Sequence, residues 1–253
     1  MKISGNTILI TGGTSGIGLE FAIQFLERDN TVIITGRDQH KIEEARKRVP
    51  EAHIFQSDVS DFRAIPVLFH EVIQKFPKLN VLINNAGIMR KINLASDEEQ
   101  KDLPDIGREI ETDLAGPIRM VQQFLPHLKR QESAAIVNVS SGLAFVPLPI
   151  TPVYCAAKAG LHSFTQSLRV QLKSTNIQVF ELAPPMTRTP LFAGDMRAGD
   201  IKGVRMMDVS RMVGTAIRGL AEDRLEIRPG KSNMLKLMSR IAPQFILNRL
   251  SKA

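Results

Sequence analysis

Residues 7–18 read Thr-Ile-Leu-Ile-Thr-Gly-Gly-Thr-Ser-Gly-Ile-Gly, and this stretch decides the fold. Thr7–Thr11 is a short β-branched run closed by glycine, the signature of a buried strand. Apolar residues then recur at 17, 21, 22, 25 and 26, so the spacing predicts a helix over 16–28. Between them Gly12, Gly16 and Gly18 allow a tight turn, close approach of backbone to a phosphate and close packing of helix on strand. The helix N-terminus presents N–H groups and positive partial charge to a pyrophosphate. No Gly-Lys-Ser/Thr follows, which excludes the nucleoside-triphosphatase phosphate loop.

The same alternation runs outward along the chain. Residues 31–35, 52–56, 79–83, 134–139, 177–182 and 225–227 read as strands, and amphipathic segments fill most of the gaps. A long helical region over 103–129 is expected to break near Gly116-Pro117. A helix over 153–173 places 154, 158, 161, 165, 168 and 172 on one face. Uninterrupted apolar strands between helices imply a parallel sheet covered on both faces. The expectation is a single α/β Rossmann-like, doubly wound domain with seven parallel strands over 1–229, followed by a basic amphipathic extension over 230–253.

Composition narrows the function classes. The chain has 253 residues, 43% apolar and 23% charged, which suits one soluble globular domain. Its single cysteine, Cys155, excludes an intrachain disulfide and a cysteine-based zinc cluster, and fits a reducing cytoplasmic compartment. The five histidines show no paired spacing, so no metal is expected. The first apolar run is too short for a signal-peptide core. The net charge is +7, but +5 of it lies after residue 229, on Lys231, Lys236, Arg240, Arg249 and Lys252 with no acid among them. A near-neutral body with few aromatics argues against nucleic-acid binding.

Several motifs in fixed order resemble the short-chain dehydrogenase/reductase family. They are Thr11-Gly12-x-x-x-Gly16-Ile17-Gly18, the pair Asp58-Val59 after the third strand, Asn84-Asn85-Ala86-Gly87 after the fourth, Ser141, Tyr154-x-x-x-Lys158, and Pro184 with Thr189 after the sixth. Local wording around Ser141, Tyr154 and Pro184 is similar to bacterial oxidoreductases encoded with the D-alanylation genes of lipoteichoic acid. The resemblance implies an NAD(P)-dependent oxidoreductase passing hydride between the cofactor and a carbonyl or alcohol, with a catalytically weak cofactor-binding sensor or scaffold as the alternative. It implies catalytic roles for Ser141, Tyr154, Lys158 and Asp113. It implies cofactor contacts from Gly12, Thr14, Ser15, Gly16, Ile17, Gly18, Arg37, Asp58, Val59, Asn85, Ala86, Gly87, Tyr154, Lys158, Pro184, Thr187 and Thr189. Two positions depart from the pattern: Asp113 stands where the family carries a catalytic Asn, and Pro185 replaces a glycine.

The chemistry follows from residue types. A free tyrosine titrates near 10, and a nearby ammonium favours its phenolate, so Lys158 is expected to lower Tyr154. Cofactor choice turns on the end of strand two. An acid there binds the ribose of NAD, whereas Arg accommodates the 2′-phosphate of NADP. Gly36 fills the acid's position, Arg37 follows, and Asp38 reads as a helix cap, so NADP(H) is expected. Phe145, Val146, Pro147 and Leu148, with Met186, Leu191, Phe192, Met196, Met206 and Met207, suggest a mainly apolar substrate pocket. Gly194, Gly199 and Gly203 suggest a lid, and Arg188, Arg197 and Arg205 could meet an anionic group. Family members commonly form homodimers or homotetramers through the long helices, here near 103–129 and 153–173. In the tail, Met234, Leu237, Met238, Ile241 and Phe245 share one helical face with Lys236 and Arg240 opposite, and Pro243 is expected to bend the helix. That face suits docking on its own or a partner subunit, or peripheral contact with an anionic membrane.

Overall fold

A computed structural model describes residues 1–95, 103–192 and 206–251. Its first half alternates β1 (Thr7–Ile10), α1 (Gly16–Leu26), β2 (Thr31–Gly36), α2 (Gln39–Arg48), β3 (His53–Gln56), α3 (Ala64–Lys75) and β4 (Leu79–Asn84). Next come α4 (Leu103–Ile110), a π-helical turn (Glu111–Ala115), α5 (Gly116–Leu128), β5 (Ala134–Val139) and α6 (Pro152–Gln171). The chain ends with β6 (Ile177–Leu182), α7 (Val209–Ala221), β7 (Glu226–Ile227), α8 (Lys231–Ile241) and α9 (Pro243–Leu250).

The strands form one seven-stranded sheet in the order β3-β2-β1-β4-β5-β6-β7. Every pairing is parallel. Alternation along β1 feeds two cores. Ile8 and Ile10 join Phe21 and Phe25 of α1 on one face, and Leu9 joins Phe124 of α5 and Ile136 on the other. Strand order reverses between β1 and β4, so the crevice at the carboxyl ends of these strands is where an open parallel sheet binds ligands.

Local chemistry sets several boundaries. Asp38 caps α2, accepting from Lys41 N at 3.0 Å, as its position suggested. The region 103–128 breaks at the π turn, just ahead of Gly116-Pro117. The tail departs from expectation in two ways. Pro243 ends one helix and begins another instead of bending a continuous one, because the residue before proline is driven from helical geometry, here Ala242 at φ −142°, ψ 62°. Lys236 is also buried, while Leu237 and Ile241 face solvent. Met196, Arg197, Arg205 and the three proposed lid glycines lie outside the described residues.

Candidate active site

The first turn is welded to the loop after β4. Thr11 Oγ1 accepts from Asn85 N (3.0 Å) and Ala86 N (3.1 Å), and Asn85 Nδ2 donates to Thr11 O (2.9 Å) and Gly12 O (3.1 Å). Gly12 has φ +64°, and a Cβ there would lie 2.7 Å from Ala86 Cα, so both conformation and space demand glycine. Gly18 packs against Asn85 and the Gly12 carbonyl, and does not line the cleft. Ser15 caps α1 in an extended conformation without a side-chain cap bond. Thr14, Ser15, Gly16 and Ile17 thus border the cleft at a helix N-terminus.

At the end of β2 a Cβ on Gly36 would stand 2.6 Å from Thr14 Cγ2, leaving no room for a side chain without movement. Arg37 extends beside it, 44% exposed, with its guanidinium 3.6 Å from the Asp58 carboxylate. Arg37, Asp58, Val59, Asn85, Ala86, Gly87, Pro184, Thr187 and Thr189 border the same cleft, which has a volume of about 1640 Å³. A glycine cradle backed by a helix N-terminus, with Arg37 at the far end, fits a nicotinamide dinucleotide.

The candidate catalytic side chains meet at the carboxyl ends of β4 and β5. Ser141 follows β5, its Oγ accepts from Leu143 N at 3.1 Å, and its side chain beside the Tyr154 hydroxyl works against the rise in that hydroxyl's pKa. Tyr154 and Lys158 lie one turn apart on α6, with Lys158 Nζ 5.6 Å from the centre of the Tyr154 ring. Lys158 Nζ donates to Val139 O at 3.1 Å and sits 3.0 Å from Asp113 Oδ1. Asp113, fully buried in the π turn, also accepts from Ile88 N through Oδ2 at 3.1 Å. The Asp113 carboxylate thus reaches the lysine directly. Burial raises the Asp113 pKa, and the Lys158 ammonium opposes that rise.

Tyr154 differs from the sequence expectation. Burial, and secondarily the Asp113 charge, hold its hydroxyl above the ordinary tyrosine range. The Lys158 ammonium is committed to Asp113 and Val139 O. At neutral pH the group is a phenol, a proton donor.

Three polar networks lie behind the site, none given a role from sequence. Glu109, one turn before Asp113, accepts from Arg90 N at 3.1 Å, and its Oε2 has no hydrogen-bond partner among the described residues. Burial pushes its pKa up to about 7. Ser140 Oγ donates to Glu181 Oε1 at 2.5 Å, and His162 Nδ1 lies 2.7 Å from Glu181 Oε2. Asn84 Nδ2 donates to Asn138 Oδ1, and Asn138 Nδ2 to Thr165 Oγ1, both at 2.9 Å, tying β4, β5 and α6 together. Glu109 carried a signal in its four-residue spacing from Asp113, and Asn84 in its place within the Asn-Asn-Ala-Gly motif.

The C-terminal helices roof the cleft. Ser232 and Leu235 of α8 close over the turn Gly142–Ala144. Lys236 forms an ion pair with Glu226 of β7 and lies 5.2 Å from the centre of the Phe145 ring. Met234, Leu235, Met238, Phe245, Ile246 and Leu250 line the cleft with Leu143, Leu148, Met186, Leu191, Met206 and Met207. Phe145, Val146 and Pro147 do not line it. Phe145 packs edge-on against His162 and beneath Lys236, and Val146 is buried.

Known proteins resemble this chain in sequence and fold. The family model for short chain dehydrogenase matches residues 6–198. An uncharacterized oxidoreductase, DltE of Bacillus subtilis, is 43% identical over 229 residues, covering 90% of this chain and 89% of its own. A fatty acyl-CoA reductase of Acinetobacter baylyi is 30% identical over 196 residues, covering 76% and 66%. A short chain dehydrogenase from Burkholderia cenocepacia in complex with NADP superposes with a TM-score of 0.83 at 23% identity, covering 99% of both chains. A 3-ketoacyl-(acyl-carrier-protein) reductase from Brucella melitensis complexed with NADH gives 0.81 at 26%, covering 91% and 100%. The chain belongs to the short-chain dehydrogenase family, in a DltE-like subgroup, and is an NAD(P)-dependent oxidoreductase.

Proposed function

We propose that this protein is an NADP(H)-preferring reductase of mainly apolar aldehydes or ketones, working in the cytoplasm as a homodimer or homotetramer. The observation that carries the reading is the convergence of Ser141, Tyr154 and Lys158 on one cleft with the glycine cradle. It favours an enzyme over a sensor or scaffold.

The bound nicotinamide would supply the hydride. Ser141 would hydrogen-bond the carbonyl oxygen and fix it beside Tyr154. The Tyr154 hydroxyl, kept protonated by burial, would donate its proton as charge develops on that oxygen. Lys158, held by Asp113 and Val139 O, would orient the cofactor ribose. Gly12, Thr14, Ser15, Gly16 and Ile17 would cradle the pyrophosphate, and Asp58 and Val59 the adenine. Gly36 and Arg37 support the preference for NADPH, since no side chain fits at 36 and a guanidinium stands beside it. The methionine- and leucine-rich wall supports an apolar substrate, as does the likeness to a fatty acyl-CoA reductase.

A carbonyl panel followed by NADPH absorbance tests this. Turnover should fall at least about 100-fold in Tyr154→Phe, the scale of a lost general acid. Arg37→Ala should raise KM for NADPH more than for NADH. No turnover on a broad panel despite tight NADPH binding would favour the sensor, and equal use of the two cofactors by the unaltered enzyme would refute the preference.

A further inference from the structure

We infer that α8 and α9 form a docking surface for an anionic lipid bilayer, and that the cleft draws an amphiphilic carbonyl substrate from that surface. The second half rests on the reductase reading above.

The helix pair shows its apolar residues to solvent. Met234, Leu237, Ile241 and Phe245 are 49%, 57%, 70% and 59% exposed. Met234, Leu237 and Ile241 follow one another at three- and four-residue spacing, so they form one stripe on α8. The helix is rotated this way because its other face carries Ser232, set into the Gly142 turn, and Lys236, paired with Glu226. Exposed Lys231, Arg240 and Arg249 rim the stripe, and no acid occurs from Gly230 to Ala253. A short amphipathic, basic, acid-free helix pair matches the chemistry of a helix lying in the headgroup region of an anionic bilayer. Among the described residues no helix is long and apolar enough to cross one.

The stripe is continuous with the cleft. Met234, Phe245 and Arg249 belong both to the exposed lip and to the cavity wall that holds Tyr154. A chain leaving the bilayer would pass from one apolar surface to another, with its carbonyl leading. A second copy of this chain is a poorer occupant. Symmetric pairing through this face would set Arg240 and its neighbours against an equally basic surface.

The test uses the full chain with NADPH and sedimentation with vesicles. Binding is expected to vesicles of phosphatidylglycerol mixed with phosphatidylcholine, weaker to phosphatidylcholine alone, and reduced by high salt. Leu237→Asp with Ile241→Asp should weaken it at least about tenfold. Neither side chain lines the cleft, so turnover of a short water-soluble ketone should be unchanged, which also verifies folding. Arg240→Glu should weaken vesicle binding without removing apolar surface. A long-chain ketone carried in the anionic vesicles should be reduced faster by the unaltered enzyme than by the double variant. Absence of vesicle binding overturns the docking, as does a dimer in light scattering that the double variant dissociates while vesicle binding stays unchanged. Vesicle binding without reduction of any carbonyl would leave the docking standing and sink the reductase reading.

Discussion

Asp113→Asn is the most informative single change, because it restores the family's usual residue while removing one buried charge. Asparagine has nearly the same shape and can still accept from Ile88 N or Lys158 Nζ. Only the charge is lost. Two unit charges 3.0 Å apart, as in the Lys158–Asp113 pair, attract by about 5–6 kcal/mol at an effective dielectric near 20. Desolvation of the pair offsets part of that, but the variant leaves the Lys158 ammonium buried without its counter-charge, so a stability loss in the ~3–5 kcal/mol range typical of a broken buried pair is expected. The effect on Tyr154 has a definite sign. The Asp113 charge helps to hold that hydroxyl up, and its removal leaves the Lys158 ammonium uncompensated beside the phenol. A nearby charge moves a pKa by about 1–3 pH units, here downward. Composition supplies the assay. Tyr154 is the chain's one tyrosine and there is no tryptophan, so near-ultraviolet phenolate absorbance titrates this residue alone, without any substrate. Far-ultraviolet circular dichroism at each pH verifies that the fold persists. The unaltered protein should form phenolate only above the ordinary value of about 10, and the variant about 1–3 pH units earlier. An unchanged midpoint, or one moved upward, would refute the electrostatic account of the site.

Two further predictions concern the groups behind the cleft. Glu109 has a folded-state pKa raised to about 7 from 4.5, so the folded state binds the extra proton and stability should fall as pH rises from roughly 4.5 through 7. The full difference corresponds to ~3 kcal/mol, and Glu109→Gln should flatten that part of the Tm–pH curve; a curve of unchanged slope would count against it. Burial would raise the Glu226 carboxyl, but the Lys236 ammonium outweighs it and the group titrates below its ordinary value. Its stabilisation is therefore present above the ordinary glutamate pKa and lost as pH falls through the lowered one. Glu226→Gln leaves Lys236 poorly compensated over the Phe145 ring, and tryptic cleavage within 231–249 should quicken several-fold while the body of the domain stays resistant. Cleavage at the unaltered rate would show that the pair does not hold α8 down.

Where the sequence was legible, one physical rule acted locally. The β1–α1 turn needs glycine because backbone meets backbone at Ala86, and a positive φ is as visible in sequence as in space. Positions 154, 158, 161, 165, 168 and 172 are all buried, since helical period alone fixes which residues share a face. Period does not fix which face turns inward. In α8 the apolar stripe points outward, and the reason lies elsewhere in the chain: Glu226 ends up on the sheet edge beneath Lys236, and Gly142 leaves room for Ser232. Burying Leu237 in place of Lys236 would leave the Glu226 carboxylate to Arg228 alone, 3.2 Å away. It would also set the apolar stripe against a charged sheet edge. The Tyr154 reversal is mainly burial, to which a charge partner from elsewhere in the chain adds. A four-residue spacing brings a lysine near a tyrosine, but whether its charge acts on the ring depends on what else claims it. Asp113 claims it only because the π turn carries that carboxylate to the carboxyl end of β5. Contacts made only in the folded chain thus set both features: the Lys236–Glu226 pair and the Ser232 contact at Gly142 set the rotation of the roof, and burial with the Asp113 charge sets the protonation of Tyr154. In both places sequence pattern narrows the choice to two states, and packing and charge partners present only in the folded chain select between them.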